Sequence, residues 1–126
     1  MGVKQVIENF SDKKDAIFKK EKRADKRYKY NYNFKIESIN LKEVNLDVLG
    51  VNISVNGISF ISNISFEKDD ILSIAFKFNN VTIPAIIKVQ HVNIFDTGFF
   101  VGGQFIAMQN MYRQVLKMGC ETFSEN

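Results

Sequence analysis

The chain predicts a mainly β fold: a six-stranded antiparallel β-barrel, preceded by a basic, partly helical N-terminal arm and followed by one C-terminal α-helix. Three observations carry that expectation. From Asn33 onward, runs of alternating apolar and polar residues recur, the period of a strand with one buried face. Polar or Gly/Asn breaks separate these runs and no helical pattern intervenes, which suits antiparallel neighbours that close on themselves and leave no open edge. Positive charge, finally, gathers at one end: residues 1–30 hold ten Lys and Arg against five Asp and Glu, while residues 31–126 hold seven against nine.

In chain order, Val3, Val6, Ile7 and Phe10 stand at helical spacing, and Ser11 or Asp12 is placed to cap a second helical run through Ala16, Ile17 and Phe18. Residues 1–21 therefore read as a basic helical arm. Residues 20–32 have few apolar anchors and are expected to be mobile without a ligand. Tyr28, Tyr30 and Tyr32 alternate, either as the packed start of a strand or as rings offered to a base. The barrel is expected within residues 33–107, with strands over residues 34–39, 44–51, 57–62, 71–78, 81–92 and 98–107. Asn56-Gly57, between two apolar alternations, is the signal for a two-residue type I′ hairpin turn. Pro84, the one proline, interrupts a hydrogen-bond ladder unless it lies at an edge or bulge, and reads as a local bend. Residues 108–123 form the last element, where Met111, Tyr112, Val115, Leu116 and Met118 repeat at helical spacing and are expected to lay an apolar face on the barrel, the methionines filling its core.

Length and composition restrict the function. A chain of 126 residues with 45% hydrophobic content builds one domain with its own core. No apolar run reaches the roughly 18 residues that cross a bilayer, and the N-terminus is charged where a signal peptide needs an apolar stretch, so no membrane insertion and a cytoplasmic location are expected. The one cysteine, Cys120, forms no internal disulfide. Catalysis finds little support. His91 is the only histidine and falls on a different element from Cys120; it reads as a strand residue with a satisfied hydrogen bond. Asp69-Asp70 has no further metal-ligand spacing, and Gly102-Gly103 lacks the strand-to-helix context and basic partner of a phosphate loop. A binding module remains, with no catalytic residue, metal or resident cofactor expected.

Two motifs suggest what it binds. The chain has fourteen lysines and three arginines, yet Arg23 and Arg27 stand four apart in its basic arm. Arginine offers what lysine cannot, a planar fork that grips phosphate bidentately, stacks on flat rings and matches the O6/N7 edge of guanine. In an extended segment the two would lie roughly 13 Å apart at about 3.3 Å per residue, enough to reach different parts of one dinucleotide. Downstream, Asn52, Ser54 and Gly57 place an amide, a hydroxyl and a glycine at a strand end. Asn52 can accept a hydrogen bond from a base N–H, Ser54 can donate or accept, and Gly57 either permits close approach or supplies a positive φ.

In this order and spacing, RxxxR at Arg23 and Arg27 followed by NxSxxG at Asn52, Ser54 and Gly57 resembles the PilZ domain family. The stretch Gly98 to Phe105 is similar to that family's last strand, so the resemblance covers most of the chain from Lys22 onward. It implies a domain over residues 22–126, with residues 22–32 as a ligand-binding arm, and a receptor for the bacterial messenger cyclic di-GMP. It further implies that Arg23 and Arg27 clamp the dinucleotide from one side while Asn52, Ser54 and Gly57 hold it from the other. Ligand binding would then change the arm and regulate a partner protein. Asn52 stands where the family more often has Asp, which removes a charge-assisted acceptor. Lys22 adds a cation that would help hold a second, stacked ligand molecule. Two other readings stay open: a PilZ-like adaptor between proteins that binds no nucleotide, and a small barrel that binds single-stranded nucleic acid with lysines on the backbone and tyrosines on the bases. The strands carry few cations, which disfavours nucleic acid.

Overall fold

The computed structural model describes residues 26–124. Lys22, Arg23 and the expected helical arm of residues 1–21 lie outside the described residues. Within them run β1 (Tyr28–Lys29), β2 (Asn33–Ile39), β3 (Lys42–Ile53), β4 (Gly57–Ser62), β5 (Ile71–Phe78), β6 (Val81–Phe95), β7 (Gly98–Ala107) and helix α1 (Asn110–Ser124). All strand pairings are antiparallel. The order β3-β2-β5-β6-β7-β4 closes through a β3–β4 pairing into the expected six-stranded barrel, and the two-residue β1 adds to the free length of β3 beyond β2.

The alternating pattern explains the wall. On β5, Leu72, Ile74, Phe76 and Phe78 point inward, each at most 4% exposed. Across the interior Phe34 meets Phe60 edge to face, with centroids 5.5 Å apart, and Phe76 stacks on Phe105 at 5.7 Å. Each such ring or branched chain contributes roughly 1.5–3 kcal/mol on burial. Pro84 pairs with Ala75 of β5, in the part of β6 that extends past the end of β7, where a missing N–H disrupts no ladder on that side. The first of two irregularities in the β6–β7 ladder falls just beyond it, between Ile86 and Ile87.

Two-residue turns do close hairpins, but not where Asn-Gly stands. They lie at Asn40-Leu41 (φ 49° and 72°) and Asn79-Asn80 (φ 50° and 63°), flanked by the pairs Ile39/Lys42 and Phe78/Val81. Both have the positive φ of a type I′ turn, which matches the twist of the strands. At Asn56-Gly57 the expectation fails: β3 and β4 part after the pair Ile53/Ile58, the Ser54 N–H donates to the Gly57 carbonyl at 2.9 Å, and no glycine among the described residues has positive φ.

Helix α1 seats Tyr112, Val115, Leu116 and Cys120 on the core, with Leu116 fully buried. Gly119 makes the close approach possible, since a Cβ there would stand 2.2 Å from the Phe78 ring. Met111 and Met118, expected in the core, are instead 65% and 64% exposed. The contact stripe is narrower than the apolar run, and it turns both methionines outward.

The segment before β2 is also better anchored than its composition suggests. Tyr28 and Lys29 pair with Ile53 and Asn52, and the Tyr30 N–H donates to the Val51 carbonyl at 2.9 Å. Tyr30 itself is 3% exposed, its hydroxyl donating to the Lys77 carbonyl and its ring lying on Gly50, where a Cβ would come within 2.4 Å. Burial, aided by the neighbouring Tyr32, pushes the Tyr30 hydroxyl up to about 12. Tyr32 is largely exposed, its ring edge to face with Tyr30 at 5.3 Å.

Candidate functional site

Two β-bulges shape the outer face of the barrel. On β3 the ladder shifts between Gly50 and Asn52, so Val51 and Asn52 both face outward opposite Ser59; on β6 it shifts between Val89 and His91, so Gln90 and His91 do the same opposite Gly102. A bulge re-aims side chains in this way without ending the strand. The two meet at β4 and β7, which pair Ser59 with Gly102 and Ile58 with Gly103.

Between them opens a cleft of about 520 Å³. Arg27, Asn52, Ser54, Asn56, Gly57 and Ser59 line one side, and Gln90, His91, Gly102, Gly103 and Gln104 the other. Among the described residues its lining has one cation and no carboxylate, an environment that favours an anion carrying hydrogen-bonding groups. Of the residues singled out by sequence, Arg27, Asn52, Ser54 and Gly57 are thus brought together. Arg27 arrives because β1, immediately after it, is hydrogen-bonded beside Asn52. Lys22 and Arg23 lie outside the described residues.

Local structure qualifies the parts these residues play. Ser54 is 5% exposed and its Oγ accepts from the N–H groups of Asn56 and Gly57, both at 3.2 Å, so it fixes the loop first and keeps only its hydroxyl hydrogen for a ligand. Ser59 Oγ accepts from the Asn52 N–H at 3.1 Å and holds the bulge. Gly57 serves close approach, but to protein: a Cβ would stand 2.4 Å from the Gly103 carbonyl oxygen. On the far wall His91 lies flat over Gly102, where a Cβ would come within 2.2 Å of the ring, and stacks on Phe100 with centroids 6.1 Å apart. The Gln90 side chain donates to that of Gln104 at 3.1 Å. Sequence reasoning missed this wall. Gly102-Gly103 was a visible signal, but Gly102 gives a bare strand surface under the His91 ring and Gly103 makes room for Ile87 in the core, and neither belongs to a phosphate loop.

The class this fold defines is the PilZ-like barrel: six closed antiparallel strands and a C-terminal helix. Among solved structures, the Bacillus subtilis inhibitor of motility MotI/DgrA is similar, with a TM-score of 0.62 over 82% of this chain at 17% identity. The chain spans about half of that protein, covering 52% of its length. No family model and no curated protein matches the chain. Among the described residues no helix is long and apolar enough to cross a membrane, and no group of three or more His, Cys, Asp or Glu gathers to hold a metal.

Proposed function

We propose that the chain is a PilZ-domain receptor for cyclic di-GMP, a binding module and not an enzyme, which regulates a partner protein through its arm. The observation that carries this reading is the convergence of Arg27, Asn52, Ser54 and Gly57 on one cleft free of carboxylates among the described residues. The ligand's two phosphates and two guanines match that chemistry. Arg27 grips an N7/O6 edge or a phosphate, Arg23, four residues upstream in sequence, takes a second such group, and Asn52 accepts from a guanine N–H. Gly57 lies close on the Gly103 carbonyl, Gly102 leaves the floor bare beneath His91, and His91 and Gln104 bound the opposite side. Lys22 supplies a further charge. Ligand binding changes the conformation of the arm and with it the surface shown to the regulated protein.

Calorimetric titration with cyclic di-GMP tests the reading, with GTP and a short single-stranded oligonucleotide as controls. The wild type should saturate, and Arg23→Ala and Arg27→Ala should each weaken binding about tenfold or more, a bidentate contact being worth about 1–3 kcal/mol. The melting temperature of the free protein should hardly move. No heat with the dinucleotide would overturn the receptor reading, and heat with the oligonucleotide alone would assign the cleft to nucleic acid.

A further inference from the structure

Strand β1 carries a cation that the two motifs leave out. Tyr28 packs against the core and Tyr30 is buried in it, so the exposed Lys29 between them points to the outer face. Lys29 pairs with Asn52, just as Tyr28 pairs with the buried Ile53. Residues directly opposite in an antiparallel pair share a face, with Cβ atoms about 4.5–5.5 Å apart. Lys29 therefore stands beside Asn52 on the face where Asn52 lines the cleft. Arg27, two residues earlier, lines the same cleft, roughly 7 Å along the chain at about 3.3 Å per residue. This side of the cleft thus has two cations around one neutral amide.

We propose that Lys29 is a further ligand-binding residue, its ammonium taking the phosphate that lies on the Asn52 side of the cleft. The assignment rests on the receptor reading and adds to it a contact outside both motifs. The charge is available: Asn52 opposite is neutral and does not compete for the ammonium, and among the described residues Lys35 and Lys88 are tied to Asp47 and Asp69 while no carboxylate pairs with Lys29. The chemistry selects the phosphate. An ammonium is a compact point charge with three donors on a flexible stem, and it lacks the planar fork that matches a base edge. The backbone is already in place, because the β1 pairing and the bond from the Tyr30 N–H to the Val51 carbonyl hold Lys29 against β3 from both sides. The Tyr30 ring over Gly50 fixes the same segment from within. Binding then has to order one side chain and no backbone, which keeps its entropic cost low.

Calorimetric titration of the full chain with cyclic di-GMP tests the assignment in three variants beside the wild type. Lys29→Gln removes the charge, Lys29→Arg keeps it, and Lys42→Gln removes an exposed lysine at the β2–β3 turn, roughly 33 Å along β3 from Asn52. At about 0.1 M salt, where charges are screened over about 10 Å, Lys29→Gln should bind about three- to tenfold more weakly, Lys29→Arg within about twofold of wild type, and Lys42→Gln unchanged. At about 1 M salt, with screening over about 3 Å, the deficit of Lys29→Gln should shrink below about twofold. A wild type that binds and a Lys29→Gln protein that binds as well would overturn the assignment and leave the receptor reading standing. Equal losses from Lys29→Gln and Lys42→Gln would reduce the effect to net charge and overturn it too. A deficit that persists in Lys29→Arg or at high salt would make Lys29 a structural residue of β1. No heat from the wild type would overturn the receptor reading and this contact together.

Discussion

Gly57 separates two physical accounts of one residue. If the glycine served a type I′ turn, its value would be a positive φ, and Asn, which tolerates the left-handed region, would largely replace it. In the structure its φ is not positive and the constraint is space: a Cβ would sit 2.4 Å from the Gly103 carbonyl oxygen, about 1 Å inside ordinary contact. That oxygen is backbone, tied into β7, and cannot swing aside. Strand β4 must shift against β7 where the two pair, Gly57 with Gln104 and Ile58 with Gly103. Overpacking of this kind costs about 1–3 kcal/mol, a sizeable part of the 5–15 kcal/mol typical of a domain. Urea unfolding followed by far-ultraviolet circular dichroism should therefore show Gly57→Ala and Gly57→Asn losing similar stability, with unchanged m-values. A Gly57→Asn protein as stable as wild type beside a weakened Gly57→Ala protein would refute the argument and restore the turn.

Three further outcomes are expected. Tyr30 has a native pKa near 12 against 10.0 when unfolded, so the native state holds its proton longer; stability from this group is complete below pH 10 and falls as pH rises towards 12. Denaturation midpoints across that window should drop less steeply in Tyr30→Phe, which also loses the hydrogen bond to Lys77, worth about 0.5–1.5 kcal/mol at neutral pH. Leu116→Ala empties a fully buried site under α1 and should cost about 2–5 kcal/mol in a thermal or urea melt, whereas the exposed Met118→Ala should stay within about 0.5 kcal/mol. Asn52→Asp, which installs a charge-assisted acceptor, should preserve or strengthen dinucleotide binding by calorimetry, and a complete loss would remove Asn52 from the proposed contact.

The strands were legible because alternation is a local signal: residues 57–62, 71–78 and 98–107 follow directly from the pattern. What the sequence hid depends on register. The far wall of the cleft, His91 and Gln104, joins Asn52 only because β4 and β7 bridge strands distant in the chain, and no spacing within one segment reports that. Gly57 misled because Asn-Gly is a statistical sign of a turn, while its constraint comes from a carbonyl on another strand. The tyrosine arm misled in the other direction. One deeply inserted ring, Tyr30 over Gly50, anchors a segment that looks too polar to hold. Helical spacing likewise included Met111 and Met118, although the barrel accepts a narrower stripe.

The paired bulges change the phase of their strands, and that separates two design problems. Along β3 even-numbered Val48 faces the core before the shift and odd-numbered Ile53 after it; along β6 odd-numbered Val89 does so before and even-numbered Val92 after. Each strand thus carries two reading frames, one serving the interior throughout and the other turning from plain wall to cleft at the shift. Deleting Val51 would restore a single frame, leaving Gly50 opposite Phe60, Asn52 opposite Ser59 and Ile53 opposite Ile58, with the core pairs upstream still in register. The bulge can therefore be taken out of a barrel that keeps its core pairs, so the one extra residue between Gly50 and Ile53 shapes the outer face alone.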